Sequence, residues 1–103
     1  PGELVRRYAD RLRHLHLKDV DGAVLSRLQA GELDMDEAWP KGIFCEFGAG
    51  VVPLREFLAL SEVRSFSGYA VIEQDRVAVT IDDMVAVRAA DERNHRFVED
   101  ALV

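Results

Sequence analysis

Two stretches of this chain read as good strands, LRHLHLKD at 12–19 and GYAVIEQD at 68–75, and a helix-forming segment lies between them. That order constrains the fold more than any other feature. Strands joined through a helix form a β-α-β unit, with parallel pairing and a right-handed crossover. Parallel sheets are covered by helices on both faces or closed into a barrel, and two strands are too few for either. The chain therefore reads as part of a larger α/β sheet rather than as a complete small α+β domain. Its 103 residues suit one domain, 1–103, not two.

The rest of the chain fills in around the two strands. Residues 1–12 carry Leu4, Val5, Tyr8 and Leu12 on one helical stripe, and Pro1 suits a helix start. Residues 20–42 form a long excursion with one or two short helices, capped by Asp21 or Asp34 and ended by Gly31 and Gly42. Residues 43–52 are extended and broken by Gly48 and Gly50. A helix over 53–65 starts at Pro53 and turns Leu54, Phe57, Leu58 and Val63 inward. One long helix, or two, covers 80–103, where Thr80 and Asp83 make a capping box.

Composition excludes several classes of function. The net charge is −6, and the 13 Lys and Arg form no basic stripe, so nucleic acid is not an expected partner. No apolar run approaches the ~20 residues of a membrane span, and no signal peptide is visible. The single cysteine, Cys45, reads as a small buried hydrophobe in a reducing, cytoplasmic setting. A zinc protein built on His14, His16, Cys45 and His95 matches no zinc spacing. The first residue is Pro1 rather than Met, so the expectation is a processed chain or a piece of a longer one.

The strands carry the chemistry. Side chains alternate, so His14, His16 and Lys18 share one face, and Arg13, Leu15, Leu17 and Asp19 the other. Tyr69, Val71, Glu73 and Asp75 share a face of the second strand, with Ala70, Ile72 and Gln74 opposite. Each strand thus ends in ionisable groups at its C-terminal end, where α/β sheets and barrels place their active sites. Imidazole with carboxylate is half of a site for Mn, Co, Fe or Zn. From spacing alone His16 reads equally as a satisfied core residue. The Gly48–Gly50 loop either offers N–H groups to an anion or is a plain turn. Trp39 either covers a pocket or plugs a minor core. Asp75 and Arg76 read as rim ion pairs, and His95 as a surface residue.

HLHLKDV, then GIFCEFGAGVVPLREFL, then GYAVIEQDR, in that order, resembles the C-terminal region of inosose dehydratases. More broadly it resembles the sugar phosphate isomerase/epimerase, or xylose isomerase-like, barrel superfamily. The resemblance covers about residues 3–76 and, more loosely, the last helix. It implies an α/β fold made of the last two β/α units of a (β/α)8 TIM barrel, incomplete in this chain because a barrel takes about 250 residues. It implies a divalent metal, Mn, Co or similar, with His16 and Glu73 as ligands and further ligands from outside the chain. It makes Glu73 the acid/base, and places His14 and Lys18 at the substrate. Where the family commonly shows Gly-Glu-Gly, this chain has Gly48-Ala49-Gly50, which removes an acidic contact.

The implied activity is on an inosose or ketose in carbohydrate metabolism, such as myo-inositol catabolism. A proton leaves the carbon beside a carbonyl to give an enediolate. Reprotonation makes the enzyme an isomerase or epimerase, and loss of a β-hydroxyl makes it a lyase. The isolated 103-residue chain is expected to be inactive. The alternative is a non-catalytic barrel remnant that covers its open edges as a homo-oligomer, with a complementing chain, or as an interaction module.

Overall fold

The computed structural model describes residues 1–103. Helix α1 (Gly2–Tyr8) runs through a short 3-10 turn (Ala9–Arg11) into strand β1 (His14–Leu17) and the two-residue β2 (Asp19–Val20). Helices α2 (Gly22–Gln29) and α3 (Met35–Ala38) make up the excursion, and β3 (Phe44–Cys45) follows. Helices α4 (Leu54–Leu58) and α5 (Ser61–Arg64) lead to β4 (Tyr69–Ile72), and α6 (Ile81–Leu102) closes the chain.

The two expected strands pair with each other in parallel. His14 lies opposite Tyr69, His16 opposite Val71 and Leu17 opposite Ile72. A second, antiparallel pair sets Asp19 against Cys45 and Val20 against Phe44. The fold is thus mixed α/β with two two-stranded sheets, and neither closes into a barrel. The radius of gyration is 15.1 Å, above the roughly 13 Å of a compact domain this long. The core is correspondingly small. Val5, Leu17, Phe47, Leu54, Leu58 and Val63 form it, with Phe97 and Val98 of α6 packed on its edge. No helix is long and apolar enough to cross a membrane.

Local signals act largely as the sequence suggests. Asp21 caps α2 by accepting from the N–H groups of Ala23 and Val24. Asp34 with Glu37, and Thr80 with Asp83, close capping boxes on α3 and α6. Two expectations change. The 53–65 helix is two helices, because Leu60 is extended (φ −63°, ψ 136°), and that break lets Val63 reach the core beside Leu54 and Leu58. The α1 stripe is also narrower than its periodicity implies. Val5 is buried but Leu4 is 62% exposed, because no element lies over that side of so short a helix.

One buried carboxylate organises the centre. Asp19 is fully buried. Its Oδ1 accepts from the N–H groups of Val20 (2.9 Å) and Val52 (3.0 Å), and its Oδ2 from those of Gly48 (2.9 Å) and Gly50 (3.1 Å). The Gly48–Gly50 loop does present N–H groups to an anion, and that anion is the chain's own Asp19. Four such bonds satisfy a charge that burial would otherwise penalise. Gly50 is required there, since a Cβ would run into the Asp19 carboxylate and the Val20 carbonyl.

Helix α6 is tied to the same loop. Buried Asn94 accepts from the Phe47 N–H at 2.9 Å, and its amide meets that of Gln74 at 2.9 Å. Glu46 takes a two-pronged contact from Arg93, 2.7 Å at each oxygen, and a third from Arg76 at 3.3 Å. The Arg93 hydrogen bonds hold the Glu46 carboxyl below the usual glutamate range, against the opposing effect of burial.

Two outcomes follow from these contacts. Asp19→Asn turns an amide N–H₂ toward two N–H donors, and should cost about 2–4 kcal/mol in urea unfolding. A cost under about 0.5 kcal/mol would contradict the role given to Asp19. Because the Glu46 pKa is depressed by folding, its contribution is present above the ordinary glutamate pKa and is lost as pH falls through the lower folded value. Urea midpoints measured against pH should therefore drop on acidification below about pH 4.5. Arg93→Gln should flatten that drop.

Candidate functional site

The parallel register decides which side chains meet. His16 lies opposite Val71, and Glu73 follows β4 two residues later on the same face. The Glu73 N–H donates to the Leu17 carbonyl at 3.0 Å, which extends the ladder past the end of the strand. The His16 ring and the Glu73 carboxylate therefore lean toward each other across the C-terminal end of the sheet. His16 Nδ1 lies 2.8 Å from Glu73 Oε2.

Lys18 completes a row of charges. Its Nζ lies 2.7 Å from Glu73 Oε1 and 2.7 Å from Asp75 Oδ2. It also sits over the Phe44 ring, 4.4 Å from the centroid. The Lys18 bond, and after it the His16 bond, hold the Glu73 carboxyl below its usual range. Glu73 is thus an ionised acceptor at neutral pH. Burial acts to lower the Lys18 pKa, but the hydrogen bonds to Asp75 and Glu73 together outweigh it and raise the pKa, so the amine stays charged.

The four residues named from the sequence differ in setting. His16 and Glu73 are in direct contact, and Lys18 touches Glu73. His14 stands one pleat back, its ring 5.0 Å from that of His16 and 6.1 Å from that of Tyr69. The His16 side chain is 60% exposed and the Glu73 side chain 29%, so the pair faces outward rather than into a core.

A divalent ion would find a partial fit. With metal–ligand bonds of about 2.1 Å, two neighbouring ligands at a right angle lie about 3 Å apart. The 2.8 Å between His16 Nδ1 and Glu73 Oε2 is close to that spacing. Nowhere does the chain gather three or more His, Cys, Asp or Glu side chains around one point. Two donors are what it offers. The zinc cluster of His14, His16, Cys45 and His95 is accordingly not formed. Burial, then Asp19 and Asp21, push the Cys45 thiol up to about 11, away from the thiolate a metal would take.

Other expected residues fall into place around the pair. Asp75 and Arg76 make the rim contacts, with Lys18 and Glu46 respectively. Trp39 packs its edge on Phe44, with centroids 5.9 Å apart and planes at 90°, and remains 41% exposed. His95 is on the surface of α6. Asn94 and the buried role of Asp19 were not legible as site-forming features. The available signal was Asp19 itself, a charge on the same strand face as Leu15 and Leu17.

Comparison with known proteins gives a consistent picture. The chain is 32% identical over 73 residues to an inosose dehydratase of Serratia proteamaculans, covering 71% of this chain and 24% of that protein. It is 29% identical over 102 residues to an inosose dehydratase of Geobacillus kaustophilus, covering 99% and 33% respectively. An inosose dehydratase of Histophilus somni is 31% identical over 74 residues, 72% of this chain and 25% of that one. No family model matches the chain, and no solved structure matches it significantly. The resemblance read from HLHLKDV and GYAVIEQDR is thus shown by the comparisons: this chain is similar in sequence to the inosose dehydratases, and spans between a quarter and a third of their length.

Proposed function

We propose that the chain is the C-terminal part of a divalent-metal-dependent inosose dehydratase, or of a related sugar phosphate isomerase/epimerase. On this reading its two parallel strands are the last two of a xylose isomerase-like (β/α)8 barrel. The observation that carries the reading is the 2.8 Å contact of His16 with Glu73 at the C-terminal ends of neighbouring parallel strands. That is where such barrels hold their chemistry.

His16 and Glu73 would hold the ion, Mn, Co or similar, with the remaining ligands supplied by polypeptide outside this chain. When bound, the ion supplies Lewis acidity toward a substrate carbonyl. Glu73, kept ionised by Lys18 and His16, would take a proton from the carbon beside that carbonyl. An ammonium has three N–H donors. Lys18 gives two to Glu73 and Asp75, which leaves one for a substrate oxygen. His14 flanks His16 from one pleat below. Dehydration and isomerisation share these groups and differ in how the substrate lies. An inosose or ketose of myo-inositol catabolism in the cytoplasm suits this chemistry.

A second reading has its own support. Both sheets have only two strands, so every strand keeps an open edge. Val79 and Ile81 are each 83% exposed, and Tyr69 is 78% exposed. A non-catalytic remnant would cover these edges with a second copy or a complementing chain.

The test is turnover of an inosose by a preparation that joins this chain to the missing strands. His16→Ala and Glu73→Gln should each lower kcat at least about a hundredfold. The isolated chain should show none. Turnover that survives both substitutions would remove the roles given to His16 and Glu73, and no turnover by the joined preparation would leave the second reading.

A further inference from the structure

The other face of the β1–β4 sheet carries a hollow of about 210 Å³ that the proposed site does not use. Its floor is buried and apolar, made by Leu17, Leu58 and Val63. Its rim is exposed, with Ala70 on β4, Leu102 on α6 and Arg64 on α5. Leu17 and Ala70 alternate with His16 and Glu73 along their strands, so the hollow and the proposed site lie on opposite sides of the sheet.

Arg64 is the one charged residue that lines the hollow. Arg27, Arg76, Arg88 and Arg93 each hold a carboxylate of the chain. Arg64 holds none, and its Nη2 donates instead to the neutral Leu102 carbonyl at 3.0 Å. A guanidinium has five N–H donors, so this contact fixes Arg64 at the mouth and leaves donors for an anion. A carboxylate takes such a fork through two parallel bonds.

The interior asks for the opposite chemistry. Water in an apolar hollow lacks the polar partners that would hold it, and hydrocarbon gains by taking its place. An apolar cavity of about 150 Å³ takes up benzene, so the larger volume here admits a tail of roughly five to seven carbons. A lone cation at the mouth and an apolar floor together fit an amphiphile with one negative head and a short hydrocarbon tail.

We infer that this hollow binds a monocarboxylate with a short aliphatic tail, its carboxylate on Arg64 and its tail among Leu17, Leu58 and Val63. The binding is independent of the His16–Glu73 pair and of any metal, and so extends beyond the proposed function.

The 103-residue chain is titrated calorimetrically with hexanoate. Acetate keeps the head without the tail, hexanol keeps the tail without the charge, and both serve as comparison probes. One hexanoate per chain is expected, with half-saturation at least about tenfold lower than for either comparison probe. Ala70→Leu fills the hollow from its rim and should weaken hexanoate binding by about tenfold or more. Arg64→Gln removes the charge from an exposed side chain. It should weaken hexanoate by about tenfold and leave hexanol within about twofold, and it carries the test if Ala70→Leu does not fold. No saturable binding of hexanoate, equal binding of acetate or hexanol, or unaltered hexanoate binding in either folded variant would overturn the inference.

Discussion

The buried Asp19 carboxylate is the interaction on which the rest of the structure depends. It opens β2, just past the end of β1, and its two oxygens collect four backbone N–H groups, three of them from residues 48–52. That fixes the glycine loop against the end of β1. The loop in turn positions Phe47 in the core and Glu46 beside Arg76. A charge of this kind is costly to bury alone and stabilising only when each oxygen is satisfied. The loop sequence Gly48-Ala49-Gly50 provides the close backbone approach that this requires.

From that anchor the electrostatics run outward in a chain. Asp19 sits on the core side of the strand and Lys18 on the other, where it joins Glu73 to Asp75. The alternation of one β-strand therefore separates two jobs. One face builds the scaffold, and the other displays His14, His16 and Lys18. Glu46 and Arg93 bind the last helix to the same scaffold, so that α6 covers the core edge through Phe97 and Val98.

Much of this was legible in the sequence, for local reasons. Period-two alternation gave both strands and the faces of their side chains, and the helix between them gave the parallel pairing that sets His16 and Glu73 at matching ends. Helix starts were readable because Asp21, Asp34 and Thr80 cap through their own side chains. What failed depended on tertiary context. Leu60 breaks a helix that periodicity runs straight through, and Leu4 stays exposed because nothing packs over it. The anion of the glycine loop was readable only as a possibility, since its partner lies some thirty residues earlier in the chain, at Asp19. Asn94 gave no signal at all, because an asparagine within a helix becomes a tether only when a loop N–H is brought to it.

The central claim is that this chain holds half of a metal site and needs other polypeptide for the rest. A native mass spectrum, recorded with Mn or Co present, tests it most directly. The account predicts an 11.6 kDa monomer that carries no tightly held ion, and an ion retained only in a heavier assembly or a longer chain. A monomer of that mass holding one divalent ion stoichiometrically would contradict it, because His16 and Glu73 alone would then suffice.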